Sequence, residues 1–149
     1  MQADTRVCSR LPDMIDLRLD LRATPEGVRL ALGQLLAEPT LARLGDDLRG
    51  TLEIVLAEVL NNVVEHAYAC AEGWVSVRLT CAPDRIEAEV SDSGCPMPGL
   101  CPPAGRLVDL QGDLPEGGFG WFLIRSLTDG LHYEHRAGRN ILRFRIPVA

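Results

Sequence analysis

The sequence contains no lysine: all fifteen of its basic residues are arginine. That absence excludes a P-loop lysine, a Schiff-base lysine and the strand lysine of protein kinases, so phosphate binding has to rest on backbone amides, arginine or a metal ion. A basic surplus is missing too. Twenty-one acidic residues bring the formal charge to −6, which argues against a dedicated nucleic-acid binder. No apolar run is long enough to span a membrane, and the opening MQADTRVCSRLPDM lacks the apolar core of a secretory signal. The five cysteines (Cys8, Cys70, Cys81, Cys95 and Cys101) are odd in number and form no C-x-x-C pair, which fits free thiols in a reducing, cytoplasmic setting. His132 and His135 stand three apart in a strand-like stretch, an offset that sends them to opposite faces and leaves no metal pair. Neither repeats nor low-complexity tracts occur.

What is present fits one globular domain. A chain of 149 residues with 46% hydrophobic and 24% charged residues can bury a core of its own without metal or disulfide staples. Residues 1–14 read as a flexible leader and 15–149 as a single domain. IDLRLDL (15–21) alternates apolar and charged residues at the period of a half-buried strand. Thr24, Pro25 and Glu26 then supply an N-cap, a first-turn proline and a first-turn acid for a helix running to about Ala37. Asp46 or Asp47 opens a longer helix whose apolar residues Leu48, Leu52, Val55, Leu56, Val59, Val63 and Ala67 recur at helical spacing. WVSVRLTC and RIEAEVS flank Ala82-Pro83-Asp84 as a hairpin, and LHYEHRA and NILRFRIP form another around Gly138. Between them, Cys95 to Glu116 holds five of the ten prolines and has no period, as a lid or binding loop would. Helices and strands are segregated rather than alternating, which predicts an α+β sandwich with an antiparallel or mixed sheet covered by helices on one face.

Three stretches carry chemistry. In AEVLNNVVEHAY (57–68), a turn of about 100° per residue puts Glu58, Asn62 and Glu65 on one stripe, away from the apolar face. Each asparagine costs about 0.5 to 0.7 kcal/mol against alanine inside a helix, so two together suggest a chemical task rather than a solvated face. An amide oxygen one turn from a carboxylate suits Mg²⁺ held mainly by phosphates and water, with Glu58 near the terminal phosphate to orient or deprotonate a hydroxyl. In VSDSGCPMPG (90–99), a strand delivers Asp92 and Gly94 into the loop. The pair suits an Asx-type turn, and equally a carboxylate that accepts from an adenine amino group with glycine allowing close approach of the ring. In EGGFGWFLIRSL, Gly117, Gly118 and Gly120 precede a helix, either as an ordinary loop end or as backbone amides converging on phosphate at a helix N-terminus.

In this order the motifs resemble those of the GHKL (Bergerat-fold) ATPases, and within them the stand-alone bacterial anti-sigma factors that are serine protein kinases. EVLNNVVEHAY is similar to their N-box, DSG to their first glycine box, and GGFGWFLIRSLTDGLHY with GRNILRFRI to their second box and closing strands. The resemblance spans about residues 12 to 148. It implies a two-layer α/β sandwich with a mixed, mostly antiparallel sheet. It further implies Glu58 as general base, Asn62 as Mg²⁺ ligand, Asp92 with Gly94 at the adenine, and Gly117, Gly118 and Gly120 on the phosphates of ATP. His66 and Tyr68 match the motif's tail as packing or hydrogen-bonding residues. The implied partners are a STAS-type anti-anti-sigma protein, phosphorylated on serine, and a sigma factor held inactive. A homodimer is implied as well, with no direct contact to nucleic acid or membrane.

Pro96 departs from the family pattern where another glycine is usual, and Asn61 where small or hydroxyl residues are frequent. Arg106 is the lid's one arginine, either a γ-phosphate contact or a mobile surface residue, and Arg22 and Arg29 are partner-facing candidates by resemblance. Two other readings are a non-catalytic module that binds a regulator, with structural or no ATP, and the ATP-binding half of a sensor histidine kinase. The second is disfavoured because the chain offers no phospho-accepting helix ahead of the domain.

Overall fold

The computed structural model describes residues 4–11, 14–69, 71–105 and 119–147, with residues 4–11 described as backbone only. Its core follows from the strand alternation. Leu17, Leu19 and Leu21 are buried in β2 (Met14–Arg22), while Arg18 and Arg22 face solvent. The same inward row continues through Val75, Val77 and Leu79 of β3 (Trp74–Ala82) and Ile86, Ala88 and Val90 of β4 (Arg85–Asp92). It ends with Leu142, Phe144 and Ile146 of β6 (Arg139–Pro147), whose hairpin partner is β5 (Asp129–Arg136).

The helices lie on the inward face. The α1 helix (Pro25–Leu36) starts as expected, with the Gly27 amide donating to Thr24 Oγ1 at 3.0 Å and Pro25 at the first helical position. It buries Val28, Ala31 and Leu35 against β2 and α3 (Asp46–Asn62). The α3 helix turns Leu52, Val55, Leu56, Val59 and Leu60 inward, and packs on α4 (Phe119–Leu127). A four-residue helix, α2 (Pro39–Ala42), follows α1 just beyond Ala37, where the sequence suggested only the end of the first helix. The opposite face of the sheet is polar: Thr80 donates to Asp16 at 2.7 Å and Arg143 to Glu89 at 3.0 Å.

Two further features differ from the sequence expectation. In place of a flexible leader over residues 1–14, Asp4–Leu11 forms β1 and pairs antiparallel with β2, with an irregularity between Val7 and Arg10. An edge strand is recruited through backbone hydrogen bonds, so it needs no apolar alternation to announce it. The described sheet runs β1-β2-β3-β4-β6-β5 with every neighbouring pair antiparallel, in keeping with the expected antiparallel or mixed sheet. The long helix changes character at its end: Val63–Ala67 is a π-helical turn, closed by the Tyr68 amide on the Val63 carbonyl at 3.2 Å.

Candidate functional site

The end of α3, the π turn, the end of β4 and the β5–β6 hairpin enclose a cavity of about 580 Å³. Its walls are largely apolar, with Val59, Val63, Val90, Trp121 and Leu142, and a small polar set that includes Asn62, Asp92 and Asn140. This size and lining suit a small organic ligand gripped by a few directed hydrogen bonds.

Asp92 is 7% exposed and ends β4 at a position where the inward alternation would otherwise place an apolar residue. The Gly94 amide donates to its Oδ1 at 2.9 Å, and Asn140 Nδ2 donates to the same oxygen at 2.8 Å. The Asx-type turn is formed, with one carboxylate oxygen accepting from the Gly94 amide, and the same side chain lines the cavity. Burial pushes the Asp92 carboxyl above its ordinary value. The hydrogen bonds from Asn140 and Gly94, and the field of His135, pull it partway back. Gly94 is required by packing, because a β carbon there would overlap the Ala67 carbonyl and stand 2.8 Å from Ala67 Cβ. That contact seats the loop on the π turn, where the Cys95 amide donates to the Ala67 oxygen at 2.8 Å.

Asn62 faces the cavity from the last turn of α3, and its Nδ2 is buried with no hydrogen-bond partner among the described residues. Glu58 lies one turn back, beside the start of α4. A β carbon on Gly120 would meet Glu58 Oε2 at 2.6 Å and Asn62 Nδ2 at 3.7 Å, so the start of α4 lies against these two side chains. Glu58, Asn62 and Gly120 are thus one cluster and Asp92 with Gly94 another, and Asn62 and Asp92 are the members that line the cavity. Asn61 and Glu65 are exposed, so the second asparagine and the last residue of the predicted stripe stand outside it. Gly117, Gly118 and Arg106 lie outside the described residues.

Tyr68 hydrogen-bonds as expected, donating to the Trp74 carbonyl and accepting from the Ser93 amide, each at 2.9 Å. His66 is exposed at the cavity rim, with Nε2 4.0 Å from Glu65. His132 and His135 do take opposite faces of β5, since they pair in register with outward Arg143 and inward Asn140. Sequence reasoning missed Asn140 and Tyr133. Asn140 is 4% exposed and makes three donor contacts, and Tyr133 reaches it through its hydroxyl at 2.6 Å. The available signal was a polar residue on the apolar side of NILRFRIP.

No cluster of three or more His, Cys, Asp or Glu residues placed to hold a metal occurs among the described residues. An ion that takes few protein ligands would have the Asn62 amide oxygen and the Glu58 carboxylate to draw on, both beside Gly120; the unpartnered Asn62 Nδ2 is a donor and would face an acceptor rather than the ion.

An antiparallel sheet covered by helices, with a buried acid lining its cavity, is neither a Rossmann nor a P-loop domain. The comparisons agree: the profile of the histidine kinase-like ATPase domain matches residues 21–146, and the chain belongs to that family, of GHKL type. Among curated relatives, the serine/threonine-protein kinase BtrW of Bordetella bronchiseptica is 35% identical over 100 residues, covering 64% of this chain and 68% of the relative. The serine-protein kinase RsbW of Bacillus cereus is 26% identical over 133 residues, covering 84% and 82%. Among solved structures, the RsbU and RsbW domains of Rv1364c from Mycobacterium tuberculosis superpose with a TM-score of 0.61 at 19% identity, which bears on fold alone. That match covers 90% of this chain and 33% of the solved one, so the chain spans about a third of that protein.

Proposed function

We propose that this chain is an ATP-dependent serine protein kinase that doubles as an anti-sigma factor in partner-switching control of transcription. It phosphorylates a serine on a STAS-type anti-anti-sigma partner and otherwise sequesters a sigma factor, acting in the cytoplasm as a homodimer. Family membership and the serine kinases among its relatives support the reaction class. No helix among the described residues is long and apolar enough to cross a membrane.

The observation that carries the reading is a buried carboxylate, Asp92, sharing one cavity with the Asn62 amide, next to which Glu58 and the Gly120 backbone meet. Asp92 accepts a hydrogen bond from the exocyclic amine of adenine, a donor that guanine does not offer there. Asn62 and the phosphates hold Mg²⁺, which neutralises phosphate charge when bound. Backbone amides of Gly117, Gly118 and Gly120 cradle the phosphates at the start of α4, which answers the absence of lysine. Glu58 takes the proton of the partner's serine hydroxyl as its oxygen bonds to the γ-phosphorus. The bond from that phosphorus to the β–γ bridging oxygen breaks, and ADP leaves.

The test is phosphoryl transfer. Wild-type protein, labelled ATP, Mg²⁺ and a cognate STAS protein should give phosphoserine, and Glu58→Ala should slow transfer by about 10²- to 10⁴-fold, the range for a lost general base. Saturable ATP binding without transfer to any cognate partner would instead make the chain a non-catalytic, partner-binding module.

A further inference from the structure

Asn140 is a buried amide on the apolar side of β6, in line with Leu142, Phe144 and Ile146 and directly opposite Asp92 in the β4–β6 register. Its Nδ2 stands 2.8 Å from Asp92 Oδ1, 3.1 Å from the Gly94 carbonyl and 3.2 Å from the Cys95 carbonyl. Its Oδ1 accepts from the Tyr133 hydroxyl at 2.6 Å and faces His135 Nδ1 at 2.8 Å. The Tyr133 hydroxyl in turn accepts from the Met97 amide at 3.0 Å. With acceptors around one end of the amide and donors around the other, its orientation is fixed.

An apolar residue at 140 would satisfy the sheet face equally well, so the asparagine answers to something else. With Gly94, it places two N–H donors on one oxygen of Asp92, which leaves Oδ2 as the oxygen for a ligand donor. Its other contacts hold residues 94 to 97, the first arm of the loop, against the last hairpin.

We propose that Asn140 is the positioning residue for adenine recognition: it orients the Asp92 carboxylate as an acceptor and anchors the adjoining loop to the β5–β6 hairpin. The proposal rests on the nucleotide reading of the cavity. Removing a donor from a buried carboxylate favours its protonated form, and a protonated acid is the poorer acceptor for an amine. The titratable groups around Asp92 are His135 and Tyr133 from β5, His66 from the π turn and Cys95 from the loop. A comparison of variants at one pH cancels their contribution and that of the ligand's phosphates.

The experiment is a carboxyl-labelled NMR titration of Asp92 without ligand, with calorimetry of ADP and Mg²⁺ from pH 5.5 to 8.5. It is run on wild type, Asn140→Leu, Asn140→Ser and Tyr133→Phe. The Asp92 titration should move upward in both Asn140 variants and stay in place in Tyr133→Phe, which retains the amide–carboxylate bond. ADP affinity should fall about tenfold in Asn140→Leu at the acid end, the order of one lost hydrogen bond to a charged group, and by less at pH 8.5. A uniform loss at every pH with an unmoved Asp92 titration would reduce Asn140 to packing and overturn the proposal. Asn140→Ser carries the same comparison if the leucine variant does not fold. Wild type that takes up no ADP overturns the nucleotide reading instead, and the titration shift still decides whether Asn140 governs Asp92.

Discussion

Gly94 and Gly50 show how much the surroundings of a glycine decide. A methyl group at 94 would strike the Ala67 carbonyl, with backbone on both sides and no flexible side chain to give way. Gly94→Ala should therefore destabilise the protein by about 1 to 3 kcal/mol, the usual cost of overpacking, and weaken nucleotide binding by pushing the loop off the π turn. A β carbon at Gly50, inside α3, meets nothing within 4 Å. Gly50→Ala should be neutral or stabilise by up to about 1 kcal/mol through helix propensity. Urea denaturation of both variants, with calorimetry of ADP on the first, checks the pair. Equal stabilities would mean that the contact at Ala67 is not a constraint. The cysteines divide in a similar way. Burial, and secondarily Asp16, pushes the Cys81 thiol up to about 11, which keeps it inert, whereas Cys95 and Cys101 are exposed.

The π turn at Val63–Ala67 ends a helix that the apolar spacing describes well, and it brings Tyr68 round to join β3 and β4. Tyr68→Phe removes the bonds to the Trp74 carbonyl and the Ser93 amide while keeping the ring. It should cost about 1 to 3 kcal/mol, as two hydrogen bonds of ordinary net worth would. Faster amide exchange at Ser93 than in wild type is the direct readout, and unchanged exchange would remove Tyr68 from that role. This element also marks where sequence patterning stops being informative. Period-two alternation placed β2, β3, β4 and β6, and the cap at Thr24 placed α1, because in each case local residues and burial agree. The π turn is one backbone hydrogen bond out of step, which side-chain spacing does not register. Strand β1 depends on an available edge rather than on its own pattern, and the neighbouring of β4 with β6 is a choice of pairing made in space. Around the cavity, Asn62, Asp92 and Gly120 stood out in the sequence because each costs local stability where a better former was available. Asn140 did not, since one polar residue in a short strand has no partner until the register sets it opposite Asp92.

Asp92 links the site to the stability of the entire molecule. Its carboxyl titrates higher in the fold than in the unfolded chain, because burial outweighs the bonds from Asn140 and Gly94. Its contribution to stability is therefore present below the unfolded value, about 3.9, and is lost as pH rises through the folded one. Once ionised, this acid is a buried charge that the fold would be more stable without. Asp92→Asn keeps an acceptor for the Asn140 and Gly94 donors and removes the charge. The ligand-free variant should melt above wild type at pH 7 to 8, and the gap should close as pH falls through the folded value. Nucleotide reverses the order. At 100 times its dissociation constant, a ligand adds about 2.7 kcal/mol, or roughly 5 to 10 °C for a chain of this size. Wild type should gain that increment with ADP and Mg²⁺, and Asp92→Asn should gain little. Thermal scans at pH 5, 6, 7 and 8, with and without ligand, test both halves together. A variant no more stable than wild type at neutral pH would mean that burial of this carboxylate carries no cost. A variant with the full ligand-induced rise would mean that Asp92 is not where the nucleotide is read.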